Sequence, residues 1–116
     1  MNAADLENAA VADDRDPLKI LVVEDDNAIA KLITMIIEKS GPYAVERASS
    51  IVTAQERLDQ GGVDAALLDL ELPDSSGIDT VRRICGMHPE LPVVVLTSHS
   101  ESEIAQQALR EGAEDF

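Results

Sequence analysis

From Leu18 onward, short apolar runs alternate with segments whose apolar residues recur every three or four positions. The run "KILVV" (19–23) is continuous, rich in β-branched residues and too short for a helix, which predicts a strand covered on both faces. Next, Ile29, Leu32, Ile33, Ile36 and Ile37 form one apolar stripe at helical spacing, stopped by "SGP" at 40–42. The alternation then repeats: "YAVERA" (43–48) reads as a strand, Ile51 to Leu58 as a helix, and Gly61-Gly62 as a break. "DAALLDL" (64–70) is a strand, Gly77 to Cys85 a helix, "PVVVLTS" (92–98) a strand, and Glu101 to Arg110 a helix. Strand alternating with helix implies βαβ units, hence an α/β fold with a parallel sheet, helices on both faces and right-handed crossovers. Residues 1–17 are acidic, Ala-rich, without period and closed by Pro17, which predicts a disordered arm before a single domain at 18–116.

Composition narrows what such a domain can do. With 116 residues, 45% of them apolar, the chain fills one modest core. Its 23 acidic residues against 9 basic ones, a formal charge of −14, repel nucleic acid and anionic membrane surfaces. Cations or basic surfaces are the expected partners. Cys85 stands alone, so no internal disulfide forms, and no apolar run approaches the roughly 20 residues of a membrane span. The start, "MNAADLENAAVADDRD", lacks the basic-then-apolar order of a signal peptide, so a reduced, cytoplasmic setting is expected.

Parallel α/β sheets bind ligands outside the carboxyl ends of their strands. The residues at those ends are Glu24, Asp25 and Asp26 after "LVV", Asp69 after "ALL", and Thr97 and Ser98 after "VVVL". Carboxylates gathered there raise one another's pKa unless a cation compensates. A site of oxygen donors, without His or Cys, suits Mg²⁺ beside a phosphoryl group, because that ion takes one or two carboxylates, keeps waters and accepts phosphate oxygens.

Each feature also has a plainer meaning. "EDD" after a strand serves equally as the first turn of a helix, where acids meet the helix dipole. Asp69 with Glu71 reads as a solvated turn, Pro73-Asp74 as a turn signal, and Thr97 as a strand end or helix cap. His99 reads as a neutral surface residue, His88 as a helix end, Cys85 as core beside Ile78, Val81 and Ile84, and Arg82-Arg83 as a solvated face. What sets the acids apart is their convergence on one sheet edge.

Residues 18–116 resemble the receiver domain of two-component response regulators. The resemblance rests on "ILVVEDD", "LLDLELPDSSG", "PVVVLTS" and "ALREGAEDF", in that order along the chain. It implies a flavodoxin-like (βα)5 fold with strand order 2-1-3-4-5, in which Asp69 is the phosphoacceptor. Asp25 is then a direct Mg²⁺ ligand together with Asp69, Glu24 its acidic companion acting through water, and the Glu71 backbone carbonyl a further ligand. Thr97 becomes the switch hydroxyl that follows the phosphoryl group. The implied partners are a sensor histidine kinase or phosphotransfer protein, and an output domain or effector outside this chain. The domain would catalyse its own phosphorylation and slow dephosphorylation.

The family pattern continues past "GAEDF" to a Lys and a fifth helix, whereas this sequence ends at Phe116. The expectation is therefore a truncated receiver with its last strand and helix missing or incomplete. Its fourth strand would be left as an apolar edge open to self-association. Two other functions share some of these features. A haloacid-dehalogenase-like phosphatase uses a strand-end Asp with a second acid two residues on, but places it on the first strand. A receiver-like module that no longer signals would keep the fold alone.

Overall fold

In the computed structural model, which describes residues 17–96 and 102–114, the four apolar runs lie side by side as one sheet. The strands are β1 (Leu18–Val23), β2 (Tyr43–Ala48), β3 (Ala65–Asp69) and β4 (Val93–Leu96). Between and after them run α1 (Asn27–Ser40), α2 (Ile51–Asp59), α3 (Ile78–Met87) and α4 (Ser102–Arg110). The spatial order is β2-β1-β3-β4 and every neighbouring pair is parallel, which is the first four places of the expected 2-1-3-4-5 order.

A strand buried on one face alternates buried with exposed positions; a strand buried on both does not. Leu21, Val22 and Val23 are consecutive and all buried, so β1 is covered above and below. Ala66 and Leu68 of β3 and Val93 and Val95 of β4 extend that core. Helices add Ile51, Ala54 and Leu58 from α2, Val81, Ile84 and Cys85 from α3, and Ala108 from α4. Cys85 is core, as its spacing implies, and burial pushes its thiol pKa up. The turn after α4 passes so close that a Cβ on Gly112, at φ +115°, would lie 3.1 Å from Cys85 Cβ. A side chain there would be strained by that φ and would crowd Cys85.

The helix starts are set by short polar side chains. Asp26 is the N-cap of α1 and accepts from the Ile29 amide at 3.0 Å. Ser50 and Thr53 form a capping box on α2. Helix α3 starts one residue later than its apolar pattern suggests, because Gly77, at φ +60°, is its cap, and it runs on to Met87 before His88 closes it.

Three expectations are refined. The sequence between β3 and α3 is more than a turn: Glu71–Leu72 pairs antiparallel with Ser75–Ser76 around Pro73-Asp74. The apolar stripe of α1 does not all face the sheet. Ala30 is buried and Ile33 and Ile37 are half-buried, whereas Ile29, Leu32 and Ile36 are exposed. Periodicity shows that a stripe exists, but what covers it depends on the neighbours, and α1 packs mainly on β1 and β2. The outer edge of β4 is not bare along its whole length either. The Glu114 amide donates to the Val93 carbonyl at 2.7 Å, one rung on the side away from β3.

The burial pattern makes a quantitative contrast. Leu21→Ala removes a fully buried side chain from the central strand and is expected to cost about 2–5 kcal/mol. Leu32→Ala, at an exposed position, should cost about 0.5 kcal/mol or less. Urea denaturation of the two variants beside the parent checks both values.

Candidate functional site

Strands β1 and β3 pair with Val23 opposite Leu68, so the residues that follow, Glu24 and Asp69, emerge side by side at the carboxyl edge of the sheet. Asp25 comes next as the chain turns toward α1. Carboxylate oxygens of Glu24, Asp25 and Asp69 lie within 4.8 Å of one another. Glu24 is buried, at 6% exposure, while Asp69 is half-buried and Asp25 exposed.

That gradient of burial decides the electrostatics. Burial first, and then the hydrogen bond and charge of Asp69, push the Glu24 carboxyl up to about 7. One backbone donor opposes them: the Asp26 amide donates to Glu24 Oε2 at 3.2 Å and favours the ionised form. Asp69 in turn accepts the Glu71 amide on Oδ1 at 3.1 Å, which ties the start of the following loop to the carboxylate. Three acids crowded this closely, one of them dry, form an oxygen-only donor set that a hard divalent cation fits.

The other acids noted in the sequence have different tasks. Asp26 is a helix cap and stands outside the cluster, so the plainer meaning of "EDD" holds for its last residue. Asp74 caps α2 from a distance of 23 positions, accepting the Ile51 amide on Oδ1 at 2.8 Å and the Val52 amide on Oδ2 at 3.2 Å. Those amides hold its carboxyl below the usual range. Glu71 is exposed and its carboxylate is not in the cluster. Thr97, Ser98 and His99 lie outside the described residues. His88 closes α3, with Nε2 3.2 Å from Asp59 Oδ1 but without the geometry of a hydrogen bond. Arg82 sits on the wet face, pairing with Asp79 and Glu111.

One residue at the site carries no motif signal. Arg47, near the end of β2, reaches across to the turn that bears Glu24 and Asp25. It donates to the Glu24 carbonyl from Nε at 3.0 Å and from Nη2 at 2.9 Å, and to the Asp25 carbonyl from Nη2 at 2.9 Å. The one available hint is its place beside the buried Ala48 at a strand end.

With strand order and acid cluster in place, comparison with known proteins decides the family. The family model for the response regulator receiver domain matches residues 20–116. The chain belongs to that family. It is 35% identical over 98 residues to the response regulator protein PilR of Pseudomonas aeruginosa, covering 84% of this chain and 22% of that protein. It is 35% identical over 100 residues to the phosphate regulon transcriptional regulatory protein PhoB of Escherichia coli, covering 84% and 43%. The chain therefore spans less than half the length of these curated relatives. Among solved structures, the receiver domain of NtrX from Brucella abortus superposes with a TM-score of 0.76 at 33% identity, covering 84% of this chain and 82% of that one. A receiver domain protein from Clostridium thermocellum gives 0.74 at 32% identity, covering 83% and 77%. In this receiver the strand-end Asp69 closes the third strand, not the first, and the phosphatase alternative is not favoured.

The raised Glu24 pKa has a thermodynamic consequence. The folded chain holds a proton on Glu24 up to about pH 7, whereas the unfolded chain releases it near the ordinary value of 4.5. In metal-free buffer this group therefore lowers stability progressively as pH rises from about 4.5 to about 7. Thermal melts in EDTA should show Glu24→Gln gaining on the parent across that window. The advantage should be larger at pH 8 than at pH 5.

Proposed function

We propose that Asp69 accepts a phosphoryl group from a phosphohistidine of a sensor kinase or phosphotransfer protein, in a Mg²⁺-dependent reaction that switches partner binding. The observation that carries this reading is the convergence of Glu24 and Asp25 on the strand-end Asp69 in a receiver chain. A carboxylate oxygen of Asp69 attacks phosphorus as the bond to the donor imidazole breaks, leaving an aspartyl phosphate. Asp25 and Asp69, with the Glu71 carbonyl, would hold the Mg²⁺, and Glu24 would act through water. Bound there, the ion would neutralise charge on the transferring oxygens.

The remaining work falls to the chain. The Glu71 amide on Asp69 Oδ1 orients the carboxylate. Slow hydrolysis of the acyl phosphate at the same site would reset the switch. Phosphorylation adds roughly −1.5 to −2 charges and three acceptor oxygens. Thr97, which follows Leu96 in sequence, is the hydroxyl proposed to meet them. Its shift would bias the β4 and α4 surface that a partner reads.

Because the curated relatives are longer, an output domain or effector is proposed as the reader of that surface. Several of the relatives are named as transcriptional regulatory proteins. The −14 charge argues that nucleic acid is not bound by this chain itself. Among the described residues no helix is long and apolar enough to cross a membrane, and a cytoplasmic setting is proposed.

Intact-mass analysis after incubation with acetyl phosphate tests the reading. One phosphoryl group should be added with Mg²⁺ present and none in EDTA. Asp69→Asn should stay unlabelled, and Asp25→Ala should lose at least about tenfold in labelling rate at limiting Mg²⁺. Equal labelling of Asp69→Asn would contradict the assignment.

A further inference from the structure

The turn between β1 and α1 carries two of the three clustered acids, and its backbone has an unusual problem to solve. The Asp26 carbonyl accepts the Ala30 amide, the first bond of α1. The carbonyls of Glu24 and Asp25 precede that bond, so no amide within α1 meets them. Both are taken by one side chain, the Arg47 guanidinium, through three hydrogen bonds of 2.9–3.0 Å. The same guanidinium donates from Nη1 to Asn27 Oδ1, so it spans the turn from Glu24 to Asn27.

Strand β2 thus grips the Glu24 peptide on both sides. The Glu24 amide donates to the Ala48 carbonyl at 3.0 Å, and the Glu24 carbonyl accepts from Arg47, the residue before Ala48. The register of β1 on β2, with Val22 opposite Arg47 and Val23 opposite Ala48, brings the side chain within reach. The guanidinium bonds described here all go to carbonyl or amide oxygens, so they fix the path of the backbone and with it the points from which the Glu24 and Asp25 side chains depart.

We infer that Arg47 is a positioning residue that sets the spacing of the acidic cluster, and so the affinity of the site for a divalent cation. This rests on the reading that Glu24, Asp25 and Asp69 hold Mg²⁺. The planar fork is essential: a lysine keeps the charge but carries its three donors on one nitrogen, whereas these oxygens are met by three separate guanidinium nitrogens in a fixed plane. A role as counter-charge would make Lys and Arg equivalent; a role as clamp makes them different.

The test measures Mg²⁺ binding by calorimetry for the parent, Arg47→Ala and Arg47→Lys, with melting in EDTA and the Mg²⁺ dependence of acetyl phosphate labelling alongside. Both variants should bind Mg²⁺ about tenfold more weakly, the usual scale for a residue that orients metal ligands. Their labelling should recover as Mg²⁺ is raised, placing the defect in ion binding and not in attack by Asp69. Parental affinity in Arg47→Lys would show that charge alone suffices and overturn the inference. So would parental affinity in both variants, while leaving the function reading intact. A parent chain that takes up no Mg²⁺ would overturn both. If Arg47→Ala loses cooperative melting, Arg47→Lys, which keeps the charge and an aliphatic stem, decides the question.

Discussion

Mutual repulsion among Glu24, Asp25 and Asp69 is the constraint around which the rest of this domain is arranged. The parallel pairing of β1 with β3 places Glu24 and Asp69 next to each other, and burial of Glu24 removes the water that would otherwise screen its charge. Acids held within 4.8 Å are costly unless they share a proton or a cation. The shift of Glu24 to about 7 is the proton solution. A divalent cation would be the other, and it would convert a local electrostatic cost into affinity for the ion.

Such a site needs rigid walls, and the chain builds them from distant contacts. Arg47 and the Ala48 carbonyl hold the Glu24 peptide from β2. Asp74, in the short antiparallel ladder after Asp69, caps α2 by accepting from Ile51 and Val52. The Gly77 amide bonds the Leu70 carbonyl, closing that loop on itself. The loop that leaves Asp69 is therefore tied both to its own start and to a helix on another part of the sheet. Displacement of this loop would be felt at α2.

Much of this was legible in the amino-acid order. Buried parallel strands read as unbroken apolar runs, and the acids that end the first and third runs mark the sheet edge, so the grouping of Glu24, Asp25 and Asp69 is readable from their order. Local chemistry was also readable where cause and effect lie within a few residues, as with Asp26 capping α1 or Cys85 in the core stripe of α3. Long-range roles were hidden. Asp74 looks like a turn residue because its partners, Ile51 and Val52, lie more than twenty positions away, and Arg47 shows its function only once β2 is registered against β1. The outward apolar side of α1 was hidden for a related reason: periodicity gives a stripe but not the surface that meets it.

The central claim, that the strand-end acids form one cation site, is tested most directly by anomalous diffraction from crystals of this chain grown in Mn²⁺, a hard ion with the same oxygen preference as Mg²⁺. A single strong peak is expected between Glu24, Asp25 and Asp69, about 2.1 Å from carboxylate oxygens of Asp25 and Asp69. No peak at saturating Mn²⁺, or a peak only at other surface acids such as Asp26 or Asp74, would contradict it.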